Sequence, residues 1–273
     1  MAATRGGAHD RAIRLTACAV LRRRVPALRL LTWNVWFGGH MLDERQAALL
    51  DELDRRRPDV IALQEVTPEL HARLRATAAL ADAYELSDPD GDSLRDYGVL
   101  LLARGGLGRI DLVTLPSSMG RRLLVAELPG GLTVATVHLE STGDCVAERV
   151  AQLGLIQAYL DAAGDDVVLC GDFNFTPTDA AETAALDPRW VDVWPALRGG
   201  EPGYTVDTDV NTMRYQVKQK PTYKRIDRVL LRGARWQARS IELVGTVPFD
   251  DEGTFVSDHF GLEATLVAPA SGR

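Results

Sequence analysis

Asp166-Val167-Val168-Leu169-Cys170 runs directly into Gly171-Asp172-Phe173-Asn174. The apolar run predicts a short buried strand, and the residues after it place an acid and an amide at the end of that strand. Two oxygen-bearing side chains on one strand edge can hold a divalent metal, a water molecule or a phosphate. Asp and Asn are also ordinary turn formers after strands, so this segment alone does not define a site. It gains weight because other polar clusters in the chain also close apolar strands.

The composition is that of an ordinary soluble globular protein. The chain has 273 residues, of which 46% are hydrophobic and 25% are charged, enough for one large domain or two small ones. No apolar run approaches the roughly 20 residues needed to cross a bilayer. The three cysteines, Cys18, Cys145 and Cys170, are too few and too scattered for a disulfide framework. We therefore expect a reducing compartment, the cytoplasm, no membrane span, and a monomer.

Charge is distributed unevenly along the chain. The formal net charge of -7 argues against sequence-independent nucleic-acid binding by the whole surface. Between Arg214 and Arg235, however, eight basic residues stand against one acid, Asp227. This stretch is either a solvated strand rim or a groove for a polyanion, in which Tyr215 and Tyr223 could stack on bases.

Strand and helix patterns alternate from residue 28 onward, and a run of consecutive strands follows in the middle of the chain. The predicted strands cover 28–35, 60–63, 99–102, 110–115, 123–128, 132–139, 167–170, 226–231, 241–244 and 262–267. The predicted helices cover 40–57, 68–81, 145–162 and 177–186, and the segment from there to about residue 221 is predicted to be a loop.

This order of elements predicts an α/β protein with a single domain over residues 28–270, because the segment has no internal repeat and no linker. The elements fit either two packed sheets flanked by helices or one large mixed sheet, and periodicity does not choose between them. Residues 1–27 are predicted to be a disordered extension. Their arginine triplet follows the short apolar run instead of preceding it, which is unlike a signal peptide.

Six polar clusters end, follow or lie within predicted strands. They are Thr32-Trp33-Asn34, Leu63-Gln64-Glu65, His138-Leu139-Glu140-Ser141-Thr142, Gly171-Asp172-Phe173-Asn174, Arg225-Ile226-Asp227 and Ser257-Asp258-His259. Together they offer carboxylates, amides and imidazoles. Hard oxygen ligands with few nitrogens suit Mg²⁺ or Mn²⁺ better than Zn²⁺. The five histidines of the chain show no zinc-binding spacing.

The six clusters, in this order, resemble the endonuclease/exonuclease/phosphatase superfamily of deoxyribonuclease I-like phosphodiesterases over roughly residues 28–268. Tyr204-Thr205-Val206-Asp207-Thr208 and Glu148-Arg149 make the chain most similar to the 5′-tyrosyl-DNA phosphodiesterases of that superfamily. The resemblance implies a four-layer α/β/β/α sandwich of two mixed sheets flanked by helices. It also implies a metal-dependent hydrolase, a phosphodiesterase or nuclease acting on nucleic-acid ends or 5′-phosphate adducts, as in DNA repair.

The resemblance assigns the metal to one group of side chains. It implies that Glu65 is the principal ligand of Mg²⁺ or Mn²⁺, helped by Asn34 and Asp258. Many family members carry an acid two residues after Asn34, where this chain has Trp36. Metal binding is then weaker, or it depends more on Glu65.

The resemblance assigns the chemistry to a second group. It implies that Asp172 orients or deprotonates the attacking water and that Asn174 holds this water or a phosphate oxygen. His138 and His259 contact the scissile phosphate, and Asp227 braces His259. Asn34 is implied as a catalytic residue as well as a ligand. This assignment agrees with elementary chemistry, because a carboxylate behind an imidazole fixes its tautomer and favours its charged form.

Contacts to the rest of the substrate are predicted from the motifs and the basic stretch. The predicted substrate-binding residues are Ser141, Tyr204, Lys218, Lys220, Lys224 and Arg225. Ser141 is interpreted as a hydrogen-bonding group, because no nucleophile elbow surrounds it. Val206 stands where tyrosyl-DNA phosphodiesterases tend to carry Trp, which bears on specificity for DNA ends more than on catalysis.

Two other functions compete with this interpretation. The first is a phosphatase or a phospholipid-type phosphodiesterase of the same superfamily, which Trp36 and the acidic overall charge favour. The second is a non-catalytic binding module with a decayed metal site, which only Trp36 favours. Each cluster also has a structural alternative: His138 could be a buried core histidine, and Asp258-His259 could cap a turn.

Overall fold

The computed structural model describes residues 27–268. The predicted extension over residues 1–27 lies outside the described residues, except for Ala27, which begins the first strand. Within residues 27–268 no helix has both the length and the apolar character that crossing a membrane requires. The compartment, the oligomeric state and the domain boundaries stay predictions.

Two six-stranded mixed sheets form the centre of the fold, so the first of the two predicted sheet arrangements is confirmed. The first sheet has the spatial order β13-β14-β1-β2-β4-β3. Its strands are β1 (Ala27–Asn34), β2 (Val60–Val66), β3 (Glu85–Leu86), β4 (Gly98–Ala103), β13 (Gln237–Val244) and β14 (Gly261–Val267).

The second sheet has the spatial order β5-β6-β7-β8-β12-β9. Its strands are β5 (Ile110–Thr114), β6 (Arg122–Leu128), β7 (Leu132–His138), β8 (Val167–Asp172), β9 (Val191–Asp192) and β12 (Asp227–Arg232). A separate two-stranded ribbon pairs β10 (Val206–Asp207) with β11 (Tyr223–Lys224).

Helices on the outer faces of the two sheets complete the sandwich. On the first sheet these are α1 (Leu42–Arg56), α2 (Pro68–Ala76) and α3 (Ala78–Ala81), and on the second they are α4 (Val146–Ala163) and α5 (Ala180–Ala185). Two further short helices lie elsewhere: α6 (Val193–Leu197) adds Val193 and Trp194 to the core between the sheets, and Met213 of α7 (Met213–Lys218) packs against Phe255 and Phe260. The predicted helix over 68–81 is wrong in one respect: Thr77 is extended, with φ -80° and ψ 99°, and it divides the segment into α2 and α3. The predicted loop before residue 221 also contains the short elements β9, α6, β10 and α7.

Alternation along the strands produces the four layers. Leu30 packs into the core between the sheets, whereas its neighbour Leu31 faces the core beneath α1 and α2. Val168 likewise faces the other sheet, and Leu169 packs under α4. Because both faces of the inner strands are covered, β2, β4, β7 and β8 are nearly continuous apolar runs, whereas the edge strands β5 and β13 expose several residues. These runs are the reason why periodicity alone did not distinguish two sheets from one.

Two parallel strand pairs place their carboxyl ends at one edge of the sandwich. In the first sheet β1 pairs in parallel with β2, and in the second β7 pairs in parallel with β8. The close approach of β7 and β8 requires Gly171, where φ is 128° and a Cβ atom would lie 2.0 Å from the Val137 carbonyl oxygen. The fold therefore brings four of the polar clusters to a common edge.

Candidate active site

Three polar side chains lie side by side across β7, β8 and β12. Asp172 is paired in register with His138 on one side and with Asp227 on the other. His138 Nε2 lies 3.4 Å from Asp172 Oδ2. All three side chains are buried. We call His138, Asp172 and Asp227 the polar row.

His259 joins the polar row from the loop before β14. Its Nδ1 lies 2.8 Å from Asp227 Oδ2, and its backbone N–H donates to Ser257 Oγ at 3.1 Å. Burial lowers the pKa of His259, but Asp227 and Asp258 outweigh burial and raise that pKa to about 10. The predicted brace between Asp227 and His259 thus exists as a contact.

A second group of side chains comes from the first sheet. Asn34 ends β1, and its Nδ2 donates to Glu65 Oε1 and to Asp172 Oδ2, each at 3.0 Å. Glu65 Oε2 accepts a hydrogen bond from the backbone N–H of Phe37 at 3.0 Å. We call Asn34, Glu65 and Asp258 the oxygen cluster. Asn34 joins it directly to the polar row, and the Asp258 carboxylate lies near enough to raise the pKa of Glu65.

Glu65 reaches this position through an irregular backbone. Its φ is 63°, in the left-handed region that a non-glycine residue rarely adopts. The register between β2 and β4 shifts between Gln64 and Val66, so Glu65 is the extra residue of a bulge. Bulges re-aim a side chain, and here the bulge directs the carboxylate toward Asn34. Burial raises the pKa of Glu65, whereas the hydrogen bonds from Asn34 and Phe37 lower it.

Asn174 lies beside Asp172 through a tight turn. Its backbone N–H donates to Asp172 Oδ1 at 2.9 Å, and its φ is 54°. Its side-chain Nδ2 donates to the Leu139 carbonyl at 3.0 Å and to Ser141 Oγ at 3.3 Å. The predicted pair of acid and amide is therefore built as one unit with the segment after β7.

The surroundings of Asp172 bring the pKa of its carboxyl close to neutrality. Burial raises the pKa of this carboxyl, Asp227 raises it further, and the pKa is about 6. His259 and the hydrogen bonds from Asn174 and Asn34 act in the opposite direction. A carboxylate with a pKa near neutrality can accept a proton from water more readily than an ordinary exposed aspartate can.

Three arginines of the site were missed by the reasoning from sequence. Arg121 contacts His138 and Ser141 at 3.0 and 2.7 Å. Arg45 lies fully buried below the Trp36 ring, 4.3 Å from its centroid. Arg214 Nη1 lies 3.1 Å from both Asp258 Oδ2 and His259 Nε2. Only Arg214 carried a signal, because it begins the basic stretch.

Arg214 and the carboxylates act on His259 in opposite directions. A guanidinium only donates hydrogen bonds, so the contact at Nε2 requires a neutral ring that accepts. The nearby carboxylates favour the charged ring instead. The hydrogen bond from Arg214 therefore forms only with a neutral ring, whereas the carboxylates keep the ring charged up to about pH 10. An accepting oxygen in place of Arg214 removes this conflict at neutral pH.

The predicted substrate-binding residues have different surroundings. Ser141 lies within the site through its contacts to Arg121 and Asn174. Lys224 lines a cavity of about 400 Å³ together with Asn174 and Arg214. Arg225, in contrast, is buried in an ion pair with Asp192, with its Nη1 2.9 Å from Oδ2.

The remaining predicted contacts are on the segment around the ribbon. Tyr204 is half-buried, with its ring centroid 6.0 Å from that of Tyr223. Lys220 is exposed after α7. The side chain of Lys218 lies outside the described part of the structure. Roles in substrate binding stay predictions for all of these residues.

The oxygen cluster fits a hard divalent cation. In the oxygen cluster, Asp258 Oδ1 is buried without a hydrogen-bond partner among the described residues, and in the neighbouring polar row the same holds for Asp227 Oδ1. Such carboxylate oxygens are costly unless a cation or a donor meets them. Asp172, Asp227 and His259 also each present a ligand atom within 4.8 Å of one another. Because Nδ1 of His259 and Oδ2 of Asp227 already bond to each other, the oxygen cluster is the better match to an oxygen-preferring ion.

Comparisons with known proteins agree with this geometry. Tyrosyl-DNA phosphodiesterase 2 of Mus musculus is 31% identical over 254 residues, which are 88% of this chain and 66% of that protein. The Homo sapiens protein of the same name is 31% identical over 252 residues, 87% of this chain and 67% of that protein. The chain thus spans about two thirds of the length of these relatives.

Solved structures share the fold. The Danio rerio tyrosyl-DNA phosphodiesterase 2 complexed with a single-strand DNA product is 27% identical, has a TM-score of 0.78, and the match covers 88% of this chain and 98% of that one. An endonuclease/exonuclease/phosphatase from Beutenbergia cavernae is 23% identical with a TM-score of 0.64 over 89% of this chain and 72% of that one, which shows the fold alone. Residues 31–259 match the Endonuclease/Exonuclease/phosphatase family. This chain belongs to that family.

Proposed function

We propose that this chain is a divalent-metal-dependent phosphodiesterase that hydrolyses phosphodiester bonds at nucleic-acid ends, with 5′-phosphotyrosyl adducts of DNA as its substrate class. Mg²⁺ is the proposed cofactor, with Mn²⁺ as a substitute. The proposal joins the chemistry of the site to the names of the relatives, which are tyrosyl-DNA phosphodiesterases.

One observation supports the proposal above all others. Asn34 bridges Glu65 and Asp172 with two hydrogen bonds of 3.0 Å, so a carboxylate suited to a cation and a carboxylate suited to a water share one amide. Phosphodiesters are anionic and repel nucleophiles, so their hydrolysis needs positive charge and donors where negative charge grows in the transition state. A cation held by Glu65 would supply that positive charge next to a water oriented by Asp172, because Asn34 fixes the spacing between the two carboxylates.

The protein side chains have separate tasks in the proposed reaction. Asp172 orients the attacking water and accepts its proton as the water oxygen bonds to phosphorus and the bond to the leaving oxygen breaks. Asn174 holds the water or a phosphate oxygen. His259, held by Asp227, contacts a phosphate oxygen at Nε2, where replacement of Arg214 by that oxygen favours the imidazolium.

Glu65, Asn34 and Asp258 are proposed to hold the cation. A bound Mg²⁺ or Mn²⁺ supplies Lewis-acid stabilisation of charge on the phosphoryl and leaving oxygens. Because Trp36 replaces a common acid, the cluster has fewer carboxylates than many family members, and the Trp36 ring covers Arg45. We infer a site that depends strongly on Glu65.

A nucleic-acid end is the favoured substrate for two reasons. The Danio rerio relative was solved with a single-strand DNA product. In addition, the cavity next to Asn174 is lined by Arg214, Lys224 and Arg149 against Asp179 and Glu182, a balance of one positive charge that favours an anionic chain there.

The test is a panel of phosphate esters incubated with Mg²⁺, with Mn²⁺ or with EDTA. The panel contains bis-p-nitrophenyl phosphate, a 5′-tyrosyl oligonucleotide, a 5′-phosphorylated oligonucleotide, a phospholipid and a simple phosphomonoester. We expect metal-dependent release of tyrosine and a 5′-phosphate end from the tyrosyl oligonucleotide, and loss of this activity in Asp172→Asn and Glu65→Ala.

The other outcomes would reject the proposal in different ways. Preference for the phosphomonoester or the phospholipid would indicate the alternative substrate classes of this family. Turnover of no ester, together with no Mg²⁺ or Mn²⁺ binding by calorimetry, would indicate a binding module. Activity unaffected by Asp172→Asn would show that the chemistry lies elsewhere.

A further inference from the structure

Arg121 is a buried arginine that hydrogen-bonds two side chains of the candidate active site and also donates to Met119 Sδ at 3.6 Å. It lies directly before β6 and is 5% exposed. Its Nη1 lies 3.0 Å from Nδ1 of His138, and its Nη2 lies 2.7 Å from Oγ of Ser141. The Arg121 guanidinium also lies against the Tyr97 ring, 5.4 Å from the centroid. No motif in the sequence distinguishes this residue.

The contact with Arg121 determines which nitrogen of His138 carries a proton. A guanidinium is always charged and has donors only. Nδ1 of His138 must therefore accept, and the proton of the neutral ring is on Nε2. A second proton on Nδ1 would place two N–H groups against each other at 3.0 Å. Full burial of the ring also disfavours a positive charge there.

The same arginine determines the direction of the Ser141 hydroxyl. A serine hydroxyl has two acceptor lone pairs and one donor hydrogen. Ser141 Oγ accepts from Arg121 at 2.7 Å and from Asn174 Nδ2 at 3.3 Å. With both lone pairs engaged, the hydrogen of Ser141 is free to donate to a third group.

We propose that Arg121 is a positioning residue that holds His138 as the neutral Nε2–H tautomer and turns both His138 and Ser141 into hydrogen-bond donors for the scissile phosphate. This inference rests on the proposed function for the identity of the acceptor. The tautomer itself follows from the contact between Arg121 and His138 and needs no substrate.

Nδ1 therefore has opposite hydrogen-bond roles in the two histidines of the site. Nδ1 of His138 faces an arginine, whereas Nδ1 of His259 faces the Asp227 carboxylate at 2.8 Å. The first partner demands an accepting nitrogen and the second demands a donating one. One imidazole is consequently a neutral donor at Nε2, and the other can become an imidazolium.

Four titratable groups surround the His138 ring and bear on its tautomer. They are Arg121 before β6, Asp172 on β8, the ring of Tyr97 before β4, with its centroid 6.4 Å away, and His259 before β14. Asp172 is the only carboxylate among these four groups, and it lies on the Nε2 side at 3.4 Å. It attracts the Nε2 proton and therefore supports the same tautomer.

The decisive experiment is nitrogen NMR of the metal-free protein labelled with ¹⁵N-histidine. The His138 signals are assigned by their loss in His138→Gln. We expect an unprotonated Nδ1 and a protonated Nε2 in the wild type across about pH 5 to 8, the range in which an ordinary histidine titrates. A protonated Nδ1, or an imidazolium at neutral pH, overturns the inference without any variant.

Variants then test the role of Arg121 itself. Arg121→Met keeps much of the side-chain volume but removes the donor, and we expect His138 to titrate within that pH range and to lose its single tautomer. Arg121→Lys keeps a charged donor and should restore the accepting Nδ1. Arg122→Met is the matched control, because Arg122 donates to the Ser93 carbonyl, and it should leave the His138 signals unchanged. Unchanged signals in Arg121→Met would overturn the inference.

Kinetics supply a second readout. Loss of a side chain that orients a metal ligand costs about 10- to 100-fold. By analogy we expect a fall in kcat of about that size in Arg121→Met, with a new ionisation in its pH profile. If the wild type hydrolyses none of the phosphodiesters but shows the expected tautomer, the proposed function fails and the positioning role of Arg121 stands. If the wild type is active but Nδ1 of His138 carries the proton, the proposed function stands and the positioning role of Arg121 fails.

Discussion

The polar row occupies regular ladder positions, whereas the oxygen cluster depends on an irregular backbone. His138, Asp172 and Asp227 are in direct register across three paired strands. Glu65 reaches its place through a bulge and a positive φ, and Asp258 comes from a loop. A sheet holds its side chains at fixed spacing, while a bulge and a loop are held by their hydrogen bonds. The polar row, to which the chemistry is assigned, thus has the more rigid backbone. The oxygen cluster, to which the cation is assigned, has the more adjustable backbone.

The largest expected effect comes from Asp172→Asn in the polar row. The amide cannot accept the proton of the attacking water, so we expect kcat to fall by about 10²- to 10⁴-fold, the usual contribution of a general base. Metal affinity, measured by calorimetry, should change little, because the oxygen cluster is intact. A large loss of metal affinity with unchanged kcat would instead show that Asp172 binds the cation and does not act as the general base.

Stability distinguishes this loss of chemistry from unfolding. The pKa of Asp172 is raised to about 6 in the folded protein, so the folded state retains this proton to higher pH than the unfolded chain does. The wild type therefore loses stability as the pH rises from about 4 to 6. In EDTA, the free energy of unfolding of Asp172→Asn relative to the wild type should increase over this range and stay constant above it. A relative stability that falls with pH would contradict the assigned pKa.

Glu65→Gln tests the oxygen cluster. The amide keeps the shape and one oxygen but lacks the charge, so we expect a loss in Mg²⁺ or Mn²⁺ affinity of about 10- to 100-fold, with kcat at saturating metal reduced less than in Asp172→Asn. Glu69→Gln, an acid in the first turn of α2, is the control that removes equal charge nearby. An unchanged metal affinity would show that Glu65 is not the ligand.

The difference between the regular strands of the polar row and the irregular backbone of the oxygen cluster also explains what could be predicted from sequence. Apolar runs ending in polar clusters predicted β1, β7 and β8, because strands covered on both faces must be apolar and must end where the polar groups begin. The two-sheet arrangement came from the family resemblance and not from periodicity. The polar row followed from the same motifs, since residues at the ends of adjacent strands meet.

The arginine partners could not be predicted in this way. Arg121 meets His138 only because β6 pairs with β7 in one particular register, and Arg225 meets Asp192, 33 residues earlier, through tertiary packing. Arginine is common in this chain. Spacing along the sequence does not distinguish arginines that form buried ion pairs from arginines that are exposed to solvent. The ion pair of Arg225 is an example: this residue, predicted to bind substrate, is buried and already has a half-buried carboxylate partner in Asp192.

Arg45→Met tests how the loops of the oxygen cluster are held. Arg45 donates to the carbonyl oxygens of Val35, Trp36, Gly38, His40 and Val256. Burial lowers its pKa to about 10, so it still carries its charge at neutral pH. Since buried carbonyls lose their donor, we expect the free energy of unfolding to fall by about 2 kcal/mol. Arg55→Met, in the same helix and exposed, should have little effect in the same denaturant titration.

The smallest expected effect is on the salt dependence of binding. Lys220 and Lys224 are exposed beyond the polar row, so replacing both with Gln leaves the chemistry intact. Each lost phosphate contact to a single strand lowers the slope of log Kd against log salt concentration by about 0.7. We therefore expect the double variant to bind an oligonucleotide, in the inactive Asp172→Asn background with EDTA, with a slope reduced by about 1.4. The control Arg55→Gln should keep the full slope. A slope unchanged by the lysine substitutions would leave Arg214 as the cation beside the site, and the substrate would then be held by the scissile phosphate instead of by the strand that follows it.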